Sequence, residues 1–179
     1  MERIGPDILG RLFDEHAGAL LLFARQWCDA PDDIVQDAFV ALARQKAMPE
    51  RVVPWLYRVV RNGAISAARQ LRRRRRREER VAGKEAARGE SWFAATDDRI
   101  DAEHASRLLA DLDRETREII VARLWGGLTF EEIAHLQGCS LSTAHRRYQD
   151  GLTRLQARLE KRWTATTQSA TAKSNANST

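Results

Sequence analysis

Apolar residues in this chain recur at three- and four-residue intervals, the spacing that places them on one face of an α-helix. Ile8, Leu12, Phe13, Leu20, Leu21 and Phe23 predict a helix over residues 8–27. Ile34, Val35, Ala38, Phe39 and Leu42 predict a second over 32–44, with Asp32 and Asp33 at its start, where the helix dipole favours acids. Residues 47–53 read as a loop punctuated by Pro49 and Pro54, and Pro54 suits the first turn of a long helix over 55–80. Periodicity breaks from 81 to 96, where Gly83, Gly89 and mixed charges surround Trp92-Phe93. It resumes near Asp97. Ile100, Leu108, Leu109 and Leu112 fit one helix; Ile119, Ile120 and Leu124 face inward on another over 114–125, which Gly126-Gly127 end. No run alternates with the period of a strand, so the expected fold is all-α.

The last apolar pattern is the most specific. Residues 128–148 read as a helix, a tight turn and a second helix with a polar, basic outer face, the layout of a DNA-binding helix-turn-helix. Ile133 and Ala134 face inward, and Ala134 is small where the second helix must cross. Gly138 takes a positive φ at the turn without steric cost, and Cys139 plugs the space beneath it. Ser140 caps the second helix. Ala144, Tyr148, Leu152, Leu155 and Leu159 form that helix's buried stripe. Ser142, Thr143, His145, Arg146, Arg147 and Gln149 are left outward, able to reach base edges and phosphates. An ordinary amphipathic hairpin with a solvated basic face has the same periodicity.

Charge favours the DNA reading. The 179 residues carry a net charge of +5, and the pI is near 9.7, both suited to a polyanionic partner. Residues 1–82 hold 16 Lys and Arg against 11 Asp and Glu, including the run Arg72–Arg77. Residues 101–163 balance at 10 against 10, yet eight of those acids lie at or before Glu132 and six of the bases at or after Arg146. That block is therefore dipolar, with its last helix as the basic pole. Two widely separated cysteines, Cys28 and Cys139, fit neither a disulfide framework nor a zinc cluster and suit a reducing compartment. Neither a signal pattern nor a membrane-span-length apolar run is present. Expected organisation is two small helical domains, 1–82 and 101–163, joined by a flexible linker over 83–100 and followed by a disordered Thr/Ser/Asn tail over 164–179.

Three segments, in order, carry a resemblance to a known family. Asp33-Ile34-Val35-Gln36-Asp37-Ala38-Phe39 is similar to D-[LIV]-V-Q-[ED]-x-F, Trp55-Leu56-Tyr57-Arg58-Val59-Val60-Arg61-Asn62 is similar to W-L-x-x-[IV]-[AV]-R-N, and the stretch from Arg117 to Leu155 resembles a region 4. Together the chain resembles bacterial sigma factors of the extracytoplasmic-function (ECF) group, in the sigma-70 family. The resemblance implies a cytoplasmic initiation factor that gives RNA polymerase core its promoter specificity and assists melting. By matching position it implies that Asp33, Gln36 and Asp37 dock on the β′ clamp helices. Arg58, Arg61 and Asn62 would bind the melted −10 element, Asn62 capturing a base and the arginines holding phosphates. Ser142, Thr143, His145, Arg146 and Arg147 would read the −35 element. A contact with the β flap is also implied, and an anti-sigma factor stays open as a further partner. Arg72–Arg77, following the −10 reader, would track phosphate rather than form only a solvated helix end.

Some residues depart from the pattern. Gln137 stands before the turn glycine, where an apolar residue is common; Ser66 replaces a frequent Asp; His145 stands where Lys is frequent. Trp55 groups with Val59 at helical spacing, which points to core rather than base stacking. A stand-alone helix-turn-helix regulator would also account for the second domain, but has no need of the segments at 33–39 and 55–62. An enzyme is the third reading. Glu132 and His135 match one half of a di-iron helix motif without a second copy. No phosphate-binding glycine loop, nucleophile elbow or zinc spacing occurs. No catalytic residue, metal or cofactor is expected, nor insertion into a membrane.

Overall fold

A computed structural model describes residues 4–28, 30–82 and 109–176, the side chains of 78–82 and 161–176 excepted. Its helices are α1 (Pro6–Ala24), α2 (Pro31–Ala43), α3 (Val52–Ala82), α4 (Arg114–Leu124), α5 (Phe130–Gln137) and α6 (Leu141–Ala176), and the described residues contain no strand. The expected linker over 83–100, with Trp92-Phe93, lies outside the described residues, as do Ile100 and Leu108 of the helix expected after it.

Prolines set the first two helix starts. Pro6 and Pro31 occupy the first turns of α1 and α2, where a missing N–H costs nothing. Pro54 likewise falls in the first turn of α3. The first three helices pack around Leu20, Phe23, Val35, Phe39, Leu42, Leu56 and Tyr57. Two edge-to-face ring pairs, Phe13–Phe39 at 5.0 Å and Phe23–Tyr57 at 4.9 Å, tie α1 to α2 and α3. Where α2 crosses α3, a Cβ at Gly63 would stand 3.1 Å from Ile34 Cγ2, so the small residue sets how closely the helices approach.

The second unit uses side-chain caps. Asp113 accepts hydrogen bonds from the Thr116 N–H and hydroxyl, each at 2.9 Å. Thr129 and Glu132 form a reciprocal capping box at the start of α5. Gly138 ends α5 at φ 67°, and the Thr143 N–H donates to Ser140 Oγ at 3.2 Å, capping α6 as expected. Arg117 donates to the carbonyls of Leu109, Ala110 and Leu112 at 2.7, 2.9 and 2.8 Å, pinning the segment that leads into α4. Ile119, Ile120, Val121, Ile133, Ala134 and Ala144 are buried between the helices.

Partial burial alone would raise the Asp113 pKa, but the Thr116 hydrogen bonds and Arg154 hold it below the usual carboxylate range. Asp113→Ala should cost about 1 kcal/mol of the second unit's stability, as N-cap truncations do. A depressed folded-state pKa means this contribution is present above the unfolded-state pKa and lost as pH falls through the folded one. Chemical denaturation of wild type and variant at neutral and acidic pH checks it: the gap between the curves should narrow on acidification.

Several features differ from the sequence expectation. Leu124 and Leu159, expected inward, are 52% and 50% exposed. Leu124 is the last residue of α4. Gly151 is buried instead: a Cβ there would lie 2.6 Å from both Ile120 Cδ1 and Thr116 Cγ2, so its lack of a side chain lets α6 come close to α4. Helix α6 also continues to Ala176, through much of the segment expected to be disordered. Past Gly151 no proline or glycine interrupts it. Finally, the two units do not stand apart. Their buried residues form one continuous cluster, with α1 and α3 packed against α4 and α5.

Candidate functional site

One face of α2 is polar and unengaged. Asp33, Gln36 and Asp37 are all exposed, at spacings of three and four residues, and their side chains form no hydrogen bond or ion pair among the described residues. Val40, 45% exposed, continues the face one turn on. The opposite face, Val35, Ala38, Phe39 and Leu42, is core. The acids therefore lie on a rigid, well-supported helix and are left for something outside the fold.

At the start of α3 the three residues expected to act together separate. Arg58 and Asn62 are exposed on one face, one turn apart. Arg61 is turned away: its side chain is 21% exposed, and its Nε donates to both carboxylate oxygens of Glu118 on α4 at 3.3 Å. Tyr57 and Leu56 are core, and Trp55 packs partly against it. Arg51, before α3, reaches Glu132 on α5 at 2.7 Å. Between the two units lies a cleft of about 350 Å³, with Arg51, Trp55 and Arg58 on one wall and Glu131, Glu132 and His135 on the other. Glu132 thus serves the capping box and an ion pair, which accounts for it without a metal. Arg72–Arg77 is exposed on α3.

Glu118 is the hub of the contact between units. It is 1% exposed and accepts from the Trp27 indole N–H, from Arg61 and, at 3.0 Å, from Gln137 Nε2. Burial pushes its carboxyl pKa up, while Arg61 and the three donors pull it back; the outcome is above the ordinary range. The Arg61 and Arg114 guanidiniums lie 5.4 and 4.4 Å from the Trp27 ring centroid. Beside this, Gly126 lies against Tyr57, with only 2.5 Å from where a Cβ would stand to the phenol oxygen. Both side-chain polar atoms of Gln26, the Tyr57 hydroxyl and Gln137 Oε1 are buried without a partner among the described residues. Such groups cost about 1–3 kcal/mol each when they lose water without compensation.

Glu118 and Trp27 were not among the residues singled out from sequence. The available signal was a lone acid beside Ile119-Ile120-Val121-Ala122, since a carboxylate on an apolar stripe needs partners. Gln137, noted as a departure from the pattern, finds its use here: it donates to the Glu118 carboxylate and, at 2.9 Å, to the Glu115 carbonyl.

Helix α6 presents Ser142, His145 and Arg146 to solvent, while Thr143 and Arg147 are half-buried. Ser140 holds the Thr143 hydroxyl at 2.7 Å, and Glu115 holds Arg147 at 2.6 Å. Phe130 steadies this face from α5: the His145 ring meets it edge-on at 5.0 Å, and Arg123 lies 5.0 Å from its centroid. Arg123 is a cation beside the outward residues that sequence reasoning missed, and it also donates to the Leu128 carbonyl at 2.8 Å.

Two family models match the chain. Sigma-70 region 2 covers residues 12–76 and Sigma-70, region 4 covers 108–157. Among solved structures, the chain is similar to the sigma factor RpoE in complex with the anti-sigma factor NepR from Bartonella quintana. The identity is 24%, over 87% of this chain and 98% of that one, with a TM-score of 0.63. It is also similar to CnrH in complex with the cytosolic domain of CnrY, at 26% identity over 88% of this chain and 90% of that one, with a TM-score of 0.55. No curated protein matches the chain.

Proposed function

The chain belongs to the sigma-70 family, as a sigma factor of transcription initiation with the two-region layout of the ECF group, and we propose how its surfaces divide that work. Residues 1–82 dock RNA polymerase core and read the −10 element; 101–163 read the −35 element. Asp33, Gln36 and Asp37 supply the polymerase contact. Their exposure, with no side-chain partner among the described residues, is the observation that carries this reading. Acids that only complemented a helix dipole would do so equally well without Gln36 beside them.

Arg58 and Asn62 form the exposed part of the −10 reader, with Asn62 offering both a donor and an acceptor to an unstacked base. Arg61 joins them when it leaves Glu118. Ser142, His145 and Arg146 face the major groove, Thr143 sits at the helix start, and Arg147 exchanges Glu115 for a phosphate or a guanine. The factor acts by binding, without a catalytic residue of its own, consistent with a family that is non-enzymatic in general. It works in the cytoplasm, where polymerase and DNA meet. No helix among the described residues is long and apolar enough to cross a membrane. The RpoE neighbour is bound by an anti-sigma factor, and a comparable inhibitor is our reading for this chain.

Gel filtration of the full chain with core polymerase tests the docking reading. A stoichiometric complex is expected at micromolar concentrations. Separate elution of the two would overturn it.

A further inference from the structure

Helix α3 outruns the body that it packs on. Leu56, Tyr57, Val60 and Ala64 bury one side of its first half, but every residue from Arg69 to Arg77 is exposed. No acid stands between Val52 and Arg77, so like charges at one-turn spacing repel along this stretch. At 3.6 residues per turn, Arg58, Asn62, Arg69, Arg72, Arg73 and Arg76 fall within about 100° of the helix circumference. All six are exposed. Arg74 and Arg75 fall on the far side. The face that carries Arg58 and Asn62 therefore runs on, in one straight line, into four guanidiniums.

We propose that this stripe is a phosphate track for duplex DNA: Arg69, Arg72, Arg73 and Arg76 grip the backbone of the paired segment that adjoins the melted −10 element, without reading its sequence. The proposal rests on the assignment of Arg58 and Asn62 to −10 DNA. Arg69, outside the run of six arginines, belongs to the track. Arg74 and Arg75, inside the run, do not.

Continuity with Arg58 and Asn62 selects DNA over an acidic protein as the occupant, since a strand held by those two residues passes next onto the arginines. Bases captured by the first half of α3 must rejoin paired DNA at the edge of the melted segment, and a helix that extends past them meets that edge. With a rise of about 1.5 Å per residue, Arg69 and Arg76 lie about 10 and 21 Å along the axis from Asn62. A duplex advances about 3.4 Å per base pair, so one lying parallel to α3 meets them roughly three and six base pairs from the base that Asn62 holds. It presents one charge per about 1.7 Å of axis, dense enough to engage all four arginines. Each guanidinium fork matches the oxygen pair of a phosphate. Such contacts fix register and orientation and carry no sequence information.

The test uses the full-length chain and a fluorescent duplex of mixed sequence, with one of its strands alone as a second probe. Binding is followed from about 50 to 200 mM salt, where the number of phosphates neutralised sets the slope of log K. Arg69→Gln with Arg76→Gln removes two charges from the track; Arg74→Gln with Arg75→Gln removes two from the far side. Glutamine is a good helix former, so α3 persists, and far-UV circular dichroism checks it. Duplex contacts made by α6 are common to all variants and cancel in the comparison. The track pair should make the duplex slope shallower by about 1.8, the worth of two phosphates, and the far-side pair by less than half as much. Equal changes in the two pairs, or no change in either, would overturn the track. A loss confined to the single strand would place the arginines in the melted-DNA site and overturn the duplex assignment. Asn62→Ala, measured beside them, should weaken single-strand binding and spare the duplex slope. If it spares both probes, the −10 assignment fails; if it behaves as expected and the track pair does not, the track alone fails.

Discussion

Replacing Asp33, Gln36 and Asp37 together with lysine should abolish the complex with core polymerase while leaving the chain folded. The fold loses little because all three side chains are exposed and have no partner among the described residues; exposed substitutions away from special features stay within about 0.5 kcal/mol. Lost dipole complementarity at Asp33, in the first turn of α2, adds about 0.3–1 kcal/mol. The binding loss is far larger. Like-charge juxtaposition across an interface costs several kcal/mol, and three reversed positions act at once. Pull-down with core polymerase and a thermal melt of the free variant measure the two halves of this expectation. Retained polymerase binding by a folded variant would move the docking surface elsewhere.

Asn62→Ala should separate recognition of duplex from recognition of melted DNA. Asn62 is exposed on α3, one turn from Arg58, so its truncation leaves the fold and the surface of α6 intact. Closed-complex formation by holoenzyme on duplex promoter should be unchanged. Open-complex formation should fall about tenfold, the effect of losing roughly 1.4 kcal/mol from hydrogen bonds to one base. Binding to a pre-melted template should weaken similarly, because the target base is already exposed there. Permanganate footprinting on the two templates measures it, and full opening on both would refute the −10 assignment. Arg147→Ala gives the opposite pattern, weakening the duplex step first.

Local signals made most of the fold legible. Apolar spacing located α1 to α5, Pro54 and Gly138 marked a start and a stop, and Ser140 was recognisable as a cap. Each statement needs only neighbours within about one turn. What escaped depends on residues far apart. Glu118 meets Trp27 and Arg61 across separations of 91 and 57 residues, and no periodicity within one helix reports such a contact. Gly151 reads as a weak point in a helix until Ile120 and Thr116 are seen against it. Leu124 and Leu159 keep the helical period but are half-exposed. The same limit applies to the candidate site. Motif position grouped Arg58, Arg61 and Asn62, whereas the fold pairs Arg61 with an acid from the other unit. Gln137, a mere departure from pattern in sequence, is a donor to that acid.

Mapping transcription start sites tests the sigma-factor assignment most directly. Core polymerase is incubated with genomic fragments from the source organism, with and without the full-length chain, and transcript 5′ ends are sequenced. The expected result is a set of discrete starts that appear only with the chain and share two upstream sequence elements at one spacing, one for each DNA-reading unit. Starts no different from those of core polymerase alone, or starts sharing no upstream sequence, would contradict it.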